Sequence, residues 1–239
     1  MSVGDFTARG NRPTPEPLPS PAPDLRLWWC TLSRRDDEMP ALWAMLSPDD
    51  VERANRYGTD ALRRRYVAGR AALRVTLGTR IGVAPKDVPI RRGPRGRPEL
   101  DAPHALDFNV THTRGVALIA HLAREGARVG VDLEAVERTL AHDGLARKFL
   151  TARERAAIAA LDDDARRRAF LRLWTCKEAM SKATGEGLSA PFDTIGVDTA
   201  ARLIVAEGSG RYAPAHWTLH PVSIDPELLG TVAIWRQIP

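Results

Sequence analysis

The sequence predicts an α+β chain built as two similar halves, and three observations carry this. A long amphipathic helix pattern occurs twice, from Asp60 to about Arg80 and from Asp162 or Asp163 to about Thr184. Each is closed by a glycine, Gly82 and Gly185. Short strand-like segments follow each helix. The order of helix then strands therefore repeats, with a division near Arg124–Ala127. The two halves share no evident sequence identity, so the duplication rests on element order, and an undivided α+β chain would show the same order.

In chain order, residues 1–24 carry Pro13, Pro15, Pro17, Pro19, Pro21 and Pro23, and proline at every second position predicts a disordered or polyproline tail. Leu25 to Leu32 reads as a buried strand. Ser47, with Pro48 behind it, caps a short helix. In the helix from Asp60, Leu62, Tyr66, Gly69, Leu73 and Leu77 recur at helical spacing, and Arg63, Arg64, Arg70 and Arg74 take the other face. Val88 to Leu100 reads as two short strands around the turn Gly93-Pro94-Arg95-Gly96. Strands are predicted at Leu106–Thr111, Val116–Leu122 and Arg128–Leu133. Thr151 and Glu154 form a capping box opening a helix to about Leu161. Beyond Gly185 come strand-like segments at Thr194–Val197, Arg202–Ala206, His216–His220 and Thr231–Arg236. The division of the chain is thus a tail at 1–24, an N-terminal half at 25–124 and a C-terminal half at 125–239.

With 239 residues and 44% hydrophobic content the chain can bury a real core. It has no run of 18 apolar residues and no apolar leader, which predicts a cytoplasmic protein without a membrane span. Cys30 and Cys176 are too few for a disulfide framework and read as buried, reduced thiols. The net charge of +5 favours acidic partners: nucleic acid, a phosphorylated cofactor or an acidic protein. Only four of the 35 basic residues are lysines, Lys86, Lys148, Lys177 and Lys182, and two of these fall in one short stretch.

Four places could carry chemistry. In Gly130-Val131-Asp132-Leu133-Glu134 the two carboxylates alternate with apolar residues, so on a strand both point to one face. Such a pair suits a hard divalent cation, or a solvent-facing strand edge. In Phe170–Lys182 the stripe Ala169, Leu173, Cys176, Met180 and Ala183 is a core face. Trp174, Glu178, Ser181 and Lys182 lie opposite, with Phe170 on the flank. Aromatic side chains beside charges predict a helix packed on both sides, although Glu178 and Lys182 also have the spacing of a surface ion pair. Lys177 extends a cationic patch suited to phosphate. His112, at the end of Asn109-Val110-Thr111-His112, sits where a strand breaks into a turn and could donate to a phosphate or be structural. Gly93–Pro98, with Arg95 and Arg97, is a phosphate-holding or plain hairpin turn.

These pieces, in this order, resemble the 4'-phosphopantetheinyl transferases of the larger, surfactin-synthetase-activating (Sfp-like) type. That family shows a Gly-hydrophobic-Asp-hydrophobic-Glu strand, here Gly130–Glu134. It then shows a Trp-x-x-Lys-Glu-Ala-x-x-Lys helix, matched in full at Trp174, Lys177, Glu178, Ala179 and Lys182. Its Asn-x-Ser-His segment is Asn109–His112 here, with Thr111 for serine. Its Gly-Lys-Pro turn is Gly96-Arg97-Pro98, with arginine for lysine. The resemblance spans about Leu25 to Val197 and implies a monomeric pseudo-dimer of two α/β halves with the active site between them.

It further implies an enzyme that moves the phosphopantetheine arm of coenzyme A onto a serine of an acidic acyl or peptidyl carrier protein, releasing 3',5'-ADP. Asp132, Glu134 and Glu178 would hold Mg²⁺, with Mn²⁺ as the other hard ion. His112 and Lys177 would contact the pyrophosphate, and Arg65 and Arg97 the 3'-phosphate, aided by Arg53 and Arg56. Thr111 would join the cofactor contacts. Glu178 or a metal-bound water would act as base, and Lys182 would balance charge and protonate the leaving group. Lys148-Phe149-Leu150 would dock the carrier. The rivals are a Mg²⁺-dependent nuclease and a basic nucleic-acid-binding module. The first commonly sets Glu and Lys two apart on a strand, whereas Glu178 and Lys182 are four apart on a helix. The second leaves the acidic strand and Trp174 unexplained; the resemblance implies neither nucleic acid nor membrane as partner.

Overall fold

The computed structural model describes residues 15–101, 105–137 and 142–238. The first part runs β1 (Glu16–Leu18), β2 (Leu25–Thr31), α1 (Met39–Trp43), α2 (Pro48–Asn55), α3 (Asp60–Ile81), β3 (Ile90–Arg92), β4 (Pro98–Leu100), β5 (Asp107–Thr113) and β6 (Val116–Leu122). The second runs β7 (Ala127–Ala135), α4 (His142–Phe149), α5 (Ala152–Ala159), α6 (Asp163–Thr184), β8 (Gly196–Asp198), β9 (Ile204–Glu207), β10 (Trp217–Val222) and β11 (Leu228–Arg236).

The helices begin and end where local chemistry dictates. Ser47 accepts from the Asp50 N–H, Thr151 and Glu154 form the reciprocal capping box, and Asp162 accepts from the Ala165 N–H. Gly82 and Gly185 end α3 and α6 in the left-handed conformation, at φ 76° and 75°.

Two antiparallel sheets result, in the order β1-β2-β6-β5 and β10-β11-β7, with β3–β4 and β8–β9 as separate hairpins. Strand alternation sorts the layers. Leu25, Leu27, Leu118 and Ala120 of the first sheet meet Val129, Val131 and Val232 of the second in a core between the sheets. The outer face of the first sheet, with Cys30, Phe108 and Ile119, packs on Val67, Ala71 and Leu77 of α3. The outer face of the second packs on α6 through Ala233, Cys176 and Met180. The stack is helix, sheet, sheet, helix, the α+β arrangement of two helix-on-sheet halves. Odd positions of β7 enter the intersheet core, which turns Gly130, Asp132 and Glu134 toward α6. At Gly130 a Cβ would lie 1.9 Å from the Ala179 carbonyl oxygen, so only glycine admits α6 at this distance.

Three expectations are corrected. Residues 1–14 of the expected tail lie outside the described residues, but Glu16–Leu18 is an edge strand with Glu16 opposite Trp29 and Leu18 opposite Leu27. Pro17 is tolerated there because an edge strand can lack one donor. Arg74 does not lie on a polar helix face. It is 2% exposed, bonds Asp50 and the Ser47 hydroxyl, and donates to the carbonyls of Pro85, Lys86 and Val88. Arg70 joins it on Asp50 at 2.6 Å. Phe170 is fully buried, stacked on Trp174 and clear of any cleft. Cys30 and Cys176 are buried free thiols, as expected, and burial pushes both up to about 11. Among the described residues no helix is long and apolar enough to cross a membrane.

Candidate active site

The edge of β7 that is free of β11 meets β5 through side chains rather than a backbone ladder. The Asp107 carboxylate accepts the Val129 N–H at 2.7 Å and the side-chain Oδ1 of Asn109 accepts the Val131 N–H at 3.0 Å. Residues 107, 109 and 111 share one face of β5 because strand side chains alternate. The third, Thr111, donates from its hydroxyl to Asp132 at 3.3 Å. The seam thus ends at a carboxylate. There α6 supplies Lys182, whose Nζ donates to Asp132 at 2.7 Å and to Thr111 at 3.0 Å. Three elements from both parts of the chain converge on this cluster.

Around it a cavity of about 570 Å³ is lined by Thr111, His112, Asp132, Glu134, Trp174, Glu178, Lys182 and Leu188. Trp174, Glu178 and Lys182 repeat every four residues, which puts them on one stripe of α6. A second cavity, of about 770 Å³, adjoins it and shares Val110 and His112 as lining. Arg53, Arg65, Arg70, Arg92 and Arg114 line this larger chamber, together with Tyr57 and Tyr66. The Arg53 guanidinium lies 5.7 Å from the centre of the Tyr66 ring. Asp50 sits at its floor. Burial would raise the Asp50 pKa, but Arg70 and Arg74 outweigh this and hold the carboxyl below its usual range. A basic chamber and an acidic one therefore join at His112.

The acidic wall has the donor chemistry for a hard divalent cation. Asp132 and Glu134 alternate on β7 and Glu178 faces them from α6. The second carboxylate oxygen of Asp132, Oδ2, is buried without a partner, a position whose cost a ligand would remove. Among the described residues no three such side chains are already drawn together tightly enough to hold a metal, and the Lys182 ammonium bonds the other Asp132 oxygen.

Thr111, His112, Asp132, Glu134, Glu178 and Lys182 are thus brought together as the sequence led us to expect, and Arg65 faces the adjoining chamber. Three residues are not, and the first, Arg56, expected beside Arg65, lines neither chamber. Lys177, expected at a pyrophosphate, is 0% exposed. Its Nζ donates to Glu154 at 2.6 Å and to the carbonyls of Phe149 and Phe192. The helical turn rotates it about 100° from Glu178, away from the cleft and into the core. Burial lowers its pKa, opposed by the Glu154 charge. Arg97, expected at the 3'-phosphate, turns inward and lines neither chamber. The hairpin turn it follows bonds Glu186 through Arg95. Sequence reasoning missed Asp107 and the sealing role of Asn109, although the polar stripe at 107, 109 and 111 was readable. It also missed Glu154 as the partner of Lys177, and Leu188 at the mouth of the cavity.

A chamber lined by cations beside a cluster of carboxylates suits a phosphorylated substrate, and residues 128–233, which include the acidic wall, match the model of the 4'-phosphopantetheinyl transferase superfamily. The chain belongs to this family and is a transferase of the phosphopantetheine group. Among its relatives, the 4'-phosphopantetheinyl transferase HetI of Nostoc sp. is 37% identical over 180 residues, covering 74% of this chain and 75% of that protein. A putative 4'-phosphopantetheinyl transferase of Synechocystis sp. is 32% identical over 72% of this chain and 70% of that protein. The 4'-phosphopantetheinyl transferase Sfp of Bacillus subtilis is 25% identical over 70% of this chain and 71% of that protein.

Proposed function

We propose that the joined cleft transfers 4'-phosphopantetheine from coenzyme A to a serine hydroxyl of an acyl or peptidyl carrier protein and releases 3',5'-ADP. The observation that supports this reading most is the continuity of the arginine-lined chamber with the carboxylate cluster across His112. Coenzyme A has the matching division: a doubly phosphorylated 3',5'-ADP half, and a phosphopantetheine arm whose phosphorus must meet the nucleophile.

Arg65 and Arg53 hold the 3'-phosphate of the nucleotide half in the basic chamber. His112 and Lys182 donate to the pyrophosphate where the two chambers meet, with Thr111 orienting Lys182. Asp132, Glu134 and Glu178 would hold Mg²⁺, or Mn²⁺, which when bound neutralises charge on the pyrophosphate as a Lewis acid. Glu178 takes the proton of the incoming serine hydroxyl as the new O–P bond forms. Lys182 keeps its ammonium beside the departing ADP oxygen as the old bond breaks. Positioning and electrostatics do most of the work in such transfers. Because one chain supplies both walls, the protein acts as a monomer. Its charge of +5 suits an acidic carrier protein, and its two buried free thiols suit a cytoplasmic setting.

The test is the intact mass of a purified apo carrier protein after incubation with the enzyme, coenzyme A and Mg²⁺. A gain equal to the phosphopantetheine arm, lost with a chelator, is the expected result. Asp132→Ala should lower the rate by about 10²–10³-fold, the scale of one removed electrostatic group. Undiminished transfer by that variant would remove Asp132 from the site.

A further inference from the structure

Lys182 and Asp132 lie at bonding distance, 2.7 Å, although they come from different elements. Lys182 is near the C-terminus of α6, where the last carbonyls lack intrahelical partners. Its own carbonyl is satisfied from outside the helix: Arg97 Nε donates to it at 2.9 Å. Arg97 follows the turn between β3 and β4, 85 residues earlier in the chain. The rest of its guanidinium is equally committed. Nη1 donates to Asp107 Oδ1 at 2.9 Å and to the Pro98 carbonyl at 3.3 Å. Nη2 donates to Asp107 Oδ2 at 2.7 Å, to the Val129 carbonyl at 2.8 Å and to the Phe108 carbonyl at 3.1 Å. Arginine has five N–H donors, and all five are used here, so none is left for a phosphate. The same Asp107 oxygen also accepts the Val129 N–H.

We propose that Arg97, with Asp107, is a positioning residue for the transfer reaction: it locks the end of α6 to β7 and so sets the Lys182 ammonium against Asp132. Arg97 grips both the backbone of Lys182 and the backbone of β7 three residues before Asp132. A planar, rigid fork can join these partners at fixed angles, whereas a lysine ammonium cannot. The inference rests on the cleft being the transfer site.

The experiment is steady-state transfer by the full chain with coenzyme A and with 3'-dephospho-coenzyme A. It compares wild type with Arg97→Met, Arg97→Lys, Asp107→Asn and Arg65→Met. Arg97→Met should lower kcat by about 10²-fold, the cost of a small misplacement. It should do so equally for both donors, with KM for coenzyme A little changed. Arg97→Lys should not restore kcat, because charge without the fork does not hold the geometry. Asp107→Asn, the milder change, guards against simple unfolding and should lower kcat in the same donor-independent way, with circular dichroism unchanged. Arg65→Met, in contrast, should erase the preference for coenzyme A. The proposal is overturned if Arg97→Met raises KM and abolishes that preference while kcat stays intact, or if Arg97→Lys is fully active. A wild type inactive with every carrier overturns the transferase reading and this proposal with it.

Discussion

His121 illustrates how a single buried group ties stability to pH. It lies in β6, 1% exposed, its ring 4.5 Å from that of Trp28. The Thr76 hydroxyl donates to the Leu73 carbonyl, so it accepts from His121 Nε2, 3.3 Å away. That leaves Nδ1 unprotonated, buried and without a partner. A second proton would place both a charge and an orphan donor in the core. Burial, aided by the Arg80 charge, accordingly lowers this pKa to about 3. The folded pKa lies below the unfolded value near 6.5, so the stabilisation is complete above 6.5 and shrinks as pH falls toward 3. The slope is about 1.4 kcal/mol per pH unit while His121 alone governs it. His220, half-buried in β10, shifts the same way by burial. Urea denaturation between pH ~6.5 and ~5 should therefore show falling stability in wild type and a clearly flatter profile in His121→Phe. An unchanged slope would show that His121 is already charged in the fold.

At the scale of elements, the buried Lys177–Glu154 pair is a joint between helices. Lys177 on α6 bonds Glu154 on α5 and the carbonyl that ends α4 at Phe149. Glu154 also completes the α5 cap with the Thr151 N–H and takes the Val197 N–H at 2.9 Å. Removing one partner leaves a charge buried without its counterpart. Glu154→Leu should cost about 3–5 kcal/mol in urea denaturation, and the double variant with Lys177→Met distinctly less than the single. A double variant as unstable as the sum of the two singles would mean that the pair is not coupled. The lysine of the Trp-x-x-Lys-Glu segment is thus an element-level strut, while the glutamate beside it faces the cleft. Sequence alone could not separate them, since neighbouring charged residues on a helix look alike until the packing faces are known.

For the whole molecule, charge and architecture act together. If the proposed carrier protein is acidic, the basic chamber and the net charge of +5 should steer it toward the cleft. Raising ionic strength should therefore increase KM for the carrier while kcat stays nearly constant. A salt-independent KM would remove steering from the account. Lys148, on α4 with its ammonium 5.0 Å from the centre of the Phe149 ring, belongs to the segment expected to dock that partner.

The sequence by itself determined the two long helices with their caps and most strands, while the pairing of Gly130–Glu134 with Trp174–Lys182 was legible only through the resemblance to a family. These are local signals: capping side chains, left-handed glycines, apolar periods and short motifs act through neighbours in the chain. Tertiary structure decided which charged groups face the cleft. Lys177 and Glu178 are adjacent in sequence, yet one enters the core and the other the cavity. Arg65 lines the basic chamber, while Arg97 is spent on Asp107 and lines neither chamber. The reason is physical: a buried cation must find its acceptors, and those acceptors come from distant segments that only the packed sheets and helices bring within reach.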